Sequence, residues 1–336
     1  MIAQQLACKL RLPPLPTIRD LVKLYKLRAL KQMSQNFLMD ERLTDKIVRA
    51  AGNIEGHYVC EVGPGPGGIT RSIIRKGPQH LVVVEKDKRF MPTLQLLAEA
   101  CHNSSRMDIV IDDILKYQLA EAFPGVPSCD WMSHSPPINI IGNLPFSIST
   151  ILLIQWLEAI SRRESIWQNG RATMTLTFQK EVAERIVAPI MSNQRCRLSV
   201  ICQIYCDVKH KFTIPGSAFV PKPQVDVGVV HITPWKTPKT DVPFKVVEKV
   251  LRNIFNMRQK YFVRGLETLF PEEKRETLTQ QVLLLADMDP TIRPFQISNE
   301  EFVRIINAYN ALALDHPDIL SFDHRACKKL NSDVQV

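Results

Sequence analysis

No two cysteines in this chain are spaced C-x-x-C, although it contains 8 of them. That absence excludes the common zinc-ribbon and thioredoxin-like arrangements. Cys60 and Cys202 lie inside apolar runs ("HYVCEVG" and "LSVICQIY"), where a reduced thiol packs as a small hydrophobe, so a reducing compartment is expected. Cys196, Cys202 and Cys206 are close in sequence, but no fourth ligand is obvious beside them, and no metal is expected. No apolar run approaches the roughly 18 residues that cross a bilayer, which excludes a membrane-spanning helix; no membrane partner is expected. Internal repeats and low-complexity tracts are absent. Acidic residues are almost missing before Gln32, where Asp20 stands alone against Lys9, Arg11, Arg19, Lys23, Lys26, Arg28 and Lys31.

That start is also periodically apolar, as in "IRDLVKLYKLRAL". An acid-poor, amphipathic, basic segment resembles a mitochondrial targeting region, assigned here to residues 1–28, and it lacks the compact apolar core of a secretory signal. A basic helix that stays in the mature chain and touches RNA has the same composition, and both readings can hold. A formal charge of +9 and a pI near 9.1 favour a polyanionic partner. The 336 residues suffice for one large domain and a smaller one.

From about residue 40, apolar runs alternate with helical periods. Asp40 is a predicted N-cap for "ERLTDKIVRAA", which stops at Gly52. "HYVCEVG" is a strand-length run that ends in "GPGPGG", followed by a helix, "ITRSIIRKG". "HLVVVEK", "MDIVIDD", "PINIIGN" and "ATMTLTFQ" read as further strands, with "KRFMPTLQLLAEA" and "STILLIQWLEAI" as helices among them. Near-continuous apolar strands separated by helices predict an α/β fold with a Rossmann-like, mostly parallel, doubly wound sheet. After residue 195, "RLSVICQIYCDVKHKFTI" and "VDVGVVHIT" read as two strands of an antiparallel edge, bridged by "PGSAFVPKPQ". "TPWKTPKTDVP" (233–243) reads as a linker, and the remainder as helices broken at Pro271, Pro290 and Pro294. The expected division is a sheet domain over 29–235 and a small helical C-terminal domain over 236–336.

Ligands of open α/β sheets sit outside the carboxyl ends of the strands. The first predicted strand ends in Glu61-Val62-Gly63-Pro64-Gly65-Pro66-Gly67-Gly68, which satisfies G-x-G-x-x-G through Gly63, Gly65 and Gly68. The second ends at Glu85, 22 positions after Gly63, the third at Asp112-Asp113, and the fourth at Asn143-Leu144-Pro145-Phe146. Glycines let the backbone approach a nucleotide or amino-acid ligand, and an acid on the next strand can hold ribose hydroxyls. Two ligands suit the first three ends: a dinucleotide, whose pyrophosphate needs a helix N-terminus, and S-adenosylmethionine (SAM), whose adenine amine suits Asp113.

The fourth end decides between them. An exocyclic amine on adenine or cytosine is a poor nucleophile, because its lone pair is delocalised into the ring. Two acceptors that hold its N–H bonds favour pyramidalisation and aim the lone pair at an incoming methyl group. Asn143 supplies a side-chain oxygen and Leu144 a backbone carbonyl, while Pro145 fixes the loop and removes a competing donor. Phe146 offers a face on which an extruded base can stack, worth about 1–3 kcal/mol.

The motifs "SQNFL" (34–38), "EVGPGPGGIT" (61–70), "VVEKD" (83–87), "IIGNLPF" (140–146) and "FVPKPQVDVG" (219–228) together resemble those of the rRNA adenine N6,N6-dimethyltransferases, over essentially the full chain. The resemblance implies a SAM-dependent methyltransferase acting twice on each of two adjacent adenines, in a stem-loop near the 3′ end of small-subunit rRNA. In mitochondria that is the 12S rRNA of the small ribosomal subunit, and the matrix is the expected compartment. By the same resemblance Gln35, Asn36 and Leu38 form a SAM lid, and Gly63 and Gly65 line the methionine end. Glu85 takes the ribose, Lys86 flanks adenine, Asp113 takes the adenine amine, and Asn143 to Phe146 form the catalytic clamp, with Asn143 also against SAM. The family usually has Gly-Asp at the third strand end; here it is Asp112-Asp113, an extra charge expected to weaken the turn.

Phe219, in the proline-rich bridge, is a candidate second ring against the target base, with core packing as the alternative. Arg252, Arg258, Lys260 and Arg264 mark a candidate RNA-backbone surface, or else a solvated face, with Arg258 and Lys260 as the contacts to test. Nothing suggests a constitutive dimer, and a monomer is expected. Two rival readings stand beside the methyltransferase. One is a non-catalytic nucleic-acid-binding cofactor of the mitochondrial transcription machinery. The other is a nicotinamide dehydrogenase, which leaves "NLPF" and the basic helices unexplained.

Overall fold

The computed structural model describes residues 12–17, 20, 36–101 and 105–324; Gln35 and most of the basic N-terminal segment lie outside them. Two units emerge from the packing. One holds the described residues up to Ala183 together with Lys209–Lys236, the other Glu184–Val208 together with the described residues from Thr237 onward.

In the first unit, a short strand β1 (Phe37–Leu38) leads into helix α1 (Glu41–Ala50). Asp40 caps that helix: its Oδ1 accepts from the Arg42 N–H at 2.8 Å, satisfying a first-turn donor, and Ile47 and Val48 are then buried. The five predicted parallel-type strands are β2 (Tyr58–Val62), β3 (His80–Glu85), β4 (Arg106–Ile111), β5 (Ile138–Gly142) and β6 (Thr173–Gln179). Helices α2 (Gly68–Ile74), α3 (Met91–Cys101) and α4 (Phe146–Arg162) make the crossovers, and α5 (Lys180–Val187) follows β6. Every residue of β3 and β5 is buried, as a sheet covered on both faces requires.

Strands β7 (Cys206–Ile214) and β9 (Val227–Pro234) complete a sheet of seven in the order β4-β3-β2-β5-β6-β9-β7, and between them lies β8 (Phe219–Val220). Pairing is parallel from β4 through β6 and antiparallel between β6 and β9, the mostly parallel sheet with an antiparallel edge that the sequence predicts. The order turns at β2. The chain runs outward through β3 and β4, then returns to place β5 on the other side of β2, with Val62 paired to Gly142. The loops beginning at Gly63 and Asn143 therefore leave the sheet side by side, at the switch point where such folds bind ligands. Strands β1 and β8 form a separate antiparallel pair, Leu38 opposite Phe219, so the "QNFL" and "FVPKPQ" motifs meet.

One expectation fails. "RLSVICQIY" is not a strand but helix α6 (Arg197–Tyr205), and only the following Cys206–Ile214 extends. Five of its residues from Val200 onward are buried, on every face, so the apolar run has no period that separates helix from strand. Ser199 starts the helix by accepting the Cys196 N–H at 2.9 Å.

In the second unit α6 packs with α7 (Phe244–Asn256), α8 (Phe262–Leu266), α9 (Arg275–Ala286), α10 (Asn299–Asp315) and the short α11 (Asp318–Ser321). Residues 184–208 belong here although they precede the linker. Buried Arg195 donates through Nε to the Ile297 carbonyl at 3.2 Å and through its NH1 nitrogen to the Ala188 carbonyl at 3.2 Å, tying that segment to the start of α10. A capping box holds α10 itself, with Ser298 N–H donating to Glu301 at 2.7 Å and Glu301 N–H to the Ser298 hydroxyl at 3.1 Å.

Candidate active site at the strand ends

The glycine loop is built as its sequence demands. Gly63, Gly65 and Gly67 have φ of 68°, 55° and 82°, a region costly for side chains with a Cβ. A Cβ on Gly65 would also lie 2.7 Å from the Phe37 ring, which packs edge-on against Phe90 at 5.3 Å. Glu85 holds the loop from the next strand: its Oε2 accepts the Gly65 N–H at 2.9 Å and its Oε1 the Asp87 N–H at 2.9 Å. Only 1% exposed, its carboxyl is raised by burial, against the pull of those backbone donors.

Beside the loop, a cavity of about 140 Å³ is lined by Asn36, Phe37, Gly63, Asn143, Leu144, Pro145, Phe146, Ser147 and Phe219. The "QNFL" segment, the glycine loop, the "NLPF" segment and the proline-rich bridge thus converge on one space. Asn143 is fixed at both ends of its amide. Its Nδ2 donates to the Asn36 carbonyl at 3.0 Å, and its Oδ1 accepts from the Thr177 hydroxyl at 2.7 Å. An amide oxygen accepts twice, so among the described residues one acceptor site on Oδ1 has no partner. Pro145 precedes α4, accepting the Ile148 and Ser149 N–H groups at 3.1 Å each, which sets Phe146 at the helix start, half-buried on the cavity wall. Leu144 is buried, and Phe219 is both 2% exposed and on the cavity lining, so core and site roles coincide in one ring.

Not every predicted residue reaches that cavity. Leu38 is buried in the core, opposite Phe219, and does not line that cavity. Lys86 and Asp113 stand at the ends of β3 and β4 and pair with each other at 2.8 Å, which holds the Asp113 carboxyl below its ordinary value. At the third strand end, Asp112 Oδ1 accepts the Asp113 N–H at 2.7 Å, giving that N–H a partner. In the second unit, half-buried Arg258 donates to the Arg195 carbonyl at 3.1 Å and to the Asn193 carbonyl. Arg252, Lys260 and Arg264 are exposed, and Lys260 and Arg264 border a cavity of about 520 Å³ with Tyr261, Arg275 and His324.

Three contributors escape sequence reading. Phe37 lies within "QNFL" but carries no polar group to announce a role. Thr177 follows Leu176, the partner of Gly142, so its meeting with Asn143 depends on sheet register. Glu61 is buried under the loop with its Oε2 lacking a hydrogen-bond partner among the described residues. Burial pushes its carboxyl up to about 8, opposed first by the nearby Thr70 hydroxyl and N–H, while Glu85 adds to the rise and Arg71 partly opposes it.

That shift has a sign. With the folded value above the ordinary 4.5, the neutral carboxyl contributes fully below about pH 4.5, and the contribution is lost as pH climbs to about 8. Glu61→Gln, permanently neutral, should therefore melt higher than the ligand-free parent at pH 8.5, with the advantage fading by pH 5. An advantage that does not change with pH would mean Glu61 does not titrate in this window.

Comparison with known proteins bears on this geometry. A profile of the family "Ribosomal RNA adenine dimethylase" matches residues 26–310. The chain is 54% identical over 325 residues to "Dimethyladenosine transferase 1, mitochondrial" of Xenopus tropicalis, covering 97% of this chain and 93% of that one. It is 54% identical over 315 residues to the Homo sapiens protein of the same name, covering 94% and 90%. Among solved structures, a dimethyladenosine transferase from Plasmodium falciparum shares the fold with a TM-score of 0.64 at 20% identity, over 82% of this chain and 98% of that one. The 23S rRNA methyltransferase ErmE does so with 0.56 at 19% identity, over 82% and 100%. A profile match along most of the sequence, with identity above half to full-length relatives, makes this chain a methyltransferase of the ribosomal RNA adenine dimethylase family.

Proposed function

We propose that this chain binds SAM at the Gly63–Gly68 loop and dimethylates N6 of two adjacent adenines, in a 3′-terminal stem-loop of 12S rRNA, in the mitochondrial matrix. The observation that carries this reading is the convergence of Asn36, Gly63, Asn143 to Phe146 and Phe219 on one cavity at the switch point. The relatives named mitochondrial support the compartment, and the net charge of +9 supports an RNA partner.

The residues present fit SAM. Glycines keep side chains off the approach to Gly63, where a Cβ would meet nothing nearer than the Asn143 carbonyl at 3.6 Å. Glu85 offers a carboxylate for ribose hydroxyls, Lys86 and Asp113 border the adenine end, and Asn36 closes the lid. When bound, SAM supplies an electrophilic methyl on a sulfonium with a neutral thioether as leaving group. The chain's work is positioning. Phe146 and Phe219 offer rings to the extruded base, and the free acceptor site of Asn143 Oδ1 with the Leu144 carbonyl orients the amine. Among the described residues the cavity lining holds no carboxylate or imidazole, and none is needed, because the alkylated amine is acidic enough to lose its proton to water. Exposed Lys260 and Arg264 of the helical unit are proposed to touch phosphates, positioning the RNA without reading it.

The test is methyl transfer from labelled SAM to a short stem-loop carrying two adjacent adenines. Label on adenine N6 is the expected result, with salt weakening RNA binding steeply. SAM binding without transfer to the stem-loop, but with transfer to an assembling small subunit, would enlarge the substrate. Failure to bind SAM would overturn the reading.

A further inference from the structure

We infer that residues 12–17 belong to the working enzyme as a clasp on its cofactor loop, with Arg71 as the positioning residue that joins the two. The inference rests on reading the Gly63–Gly68 loop as the SAM site.

Arg71 lies on α2, the helix the glycine loop opens, and is only 2% exposed. Its nitrogens divide between two stretches of chain. The NH1 nitrogen donates to the Pro66 carbonyl at 3.0 Å and the Gly67 carbonyl at 2.7 Å, within the loop. Nε donates to the Pro13 carbonyl at 3.1 Å, and the NH2 nitrogen to the Pro14 carbonyl at 3.1 Å. One planar cation therefore spans "LPPLP" and the loop, using the fixed fork geometry that only a guanidinium offers.

The chemistry of both partners suits this arrangement. Prolines lack N–H groups, so an extended "LPPLP" stretch presents carbonyls with few donors of its own and needs a donor from elsewhere. A guanidinium removed from water, in turn, needs acceptors on most of its N–H groups. Leu12 packs against the core cluster that includes Phe37 and Ile69, so the segment is anchored by burial as well. At its far end, Thr17 donates its N–H to the Asp20 carboxylate at 3.0 Å and its hydroxyl to the same oxygen at 2.6 Å.

Cleavage beyond Thr17 would remove two of the four carbonyl partners of Arg71 and loosen its hold on Pro66 and Gly67. Targeting by the basic N-terminal segment thus does not entail removal of residues 1–28. The mature enzyme keeps Pro13 and Pro14.

Three variants of the full chain test this: deletion of residues 1–17, Arg71→Ala, and Arg71→Lys, which keeps the charge but cannot span both stretches. Calorimetry reads SAM affinity, and hydrogen exchange reads protection of residues 63–71 without SAM. The deletion and Arg71→Ala should each weaken SAM binding about tenfold or more, and the combination should lose no more than the worse of the two, because both cut the same link. In the deletion, KM for SAM should rise while kcat at saturating SAM stays within about twofold, which global damage would not produce. If deletion misfolds the chain, Arg71→Lys with native melting should show the same direction. Unchanged SAM affinity and loop exchange in the deletion would overturn the clasp. If the full chain binds no SAM, exchange alone decides: loss of loop protection on deletion keeps the clasp and rejects the cofactor reading, and unchanged protection rejects the clasp. Intact mass of the protein isolated from mitochondria should include Pro13 and Pro14, and a mature chain beginning after Thr17 would overturn the inference.

Discussion

Asn143→Ala is expected to lower methyl transfer by about 10²–10³-fold, the usual cost of removing one group that acts on charge developing in the transition state. SAM affinity should change by only a few-fold. The amide donates to the Asn36 carbonyl, accepts the Thr177 hydroxyl, and in the proposed mechanism offers its remaining acceptor site to the amine. Alanine deletes all three, yet only the last concerns the reacting amine. Thr177→Val separates them. It keeps the acceptor but frees the amide to rotate, so transfer should fall by about tenfold, near 1.4 kcal/mol, with SAM binding intact. Single-turnover rates with saturating RNA check both variants. Normal transfer by Asn143→Ala would sink the clamp. A loss for Thr177→Val as large as that for Asn143→Ala would mean the hydroxyl itself meets the substrate.

How much of this site could be read from residues alone follows from what each residue carries. Glycines that need positive φ, an acid at a strand end, and an amide followed by proline and an aromatic ring are local signatures, and all sit where the pattern placed them. The cap at Asp40 was legible for the same reason. What stayed hidden depends on distant partners. Phe219 meets Leu38 across 181 positions through a two-residue strand pair too short to leave a periodic trace. Thr177 becomes a support for Asn143 only once β6 is in register with β5. The apolar run from Arg197 to Tyr205 is buried on all sides, so its helix was decided by tertiary packing rather than by pattern. Arginines mislead most. Nothing local marks Arg195 and Arg71 as different from other basic residues, yet both are buried and donate to backbone carbonyls, and half-buried Arg258 does so too. Part of the basic composition therefore serves backbone carbonyls.

Glu85→Ala should act on the opposite kinetic parameter. The carboxylate receives two backbone N–H groups, from Gly65 and Asp87, and is 1% exposed, so alanine strands two donors in a dry site. Each stranded donor costs roughly 1–3 kcal/mol, enough to let the loop leave its present shape. With the proposed ribose contact gone too, SAM binding should weaken by about a hundredfold, near 2.7 kcal/mol, whereas transfer at saturating SAM should fall far less than in Asn143→Ala. Glu85→Gln keeps one acceptor but turns an amide N–H toward a backbone donor, and it should fall between the two. Acid adds an independent check. Because burial raises the Glu85 carboxyl above its ordinary value, SAM affinity should begin to fall at a higher pH than an exposed glutamate would dictate. Glu85→Gln should remove that part of the pH dependence. If Glu85→Ala melts lower but binds SAM as before, the carboxylate serves the loop alone, and the ribose must be held elsewhere. If SAM binding is lost while the fold melts normally, Glu85 touches the cofactor, and the division of labour between β3 and β5, one end for holding and the other for transfer, stands.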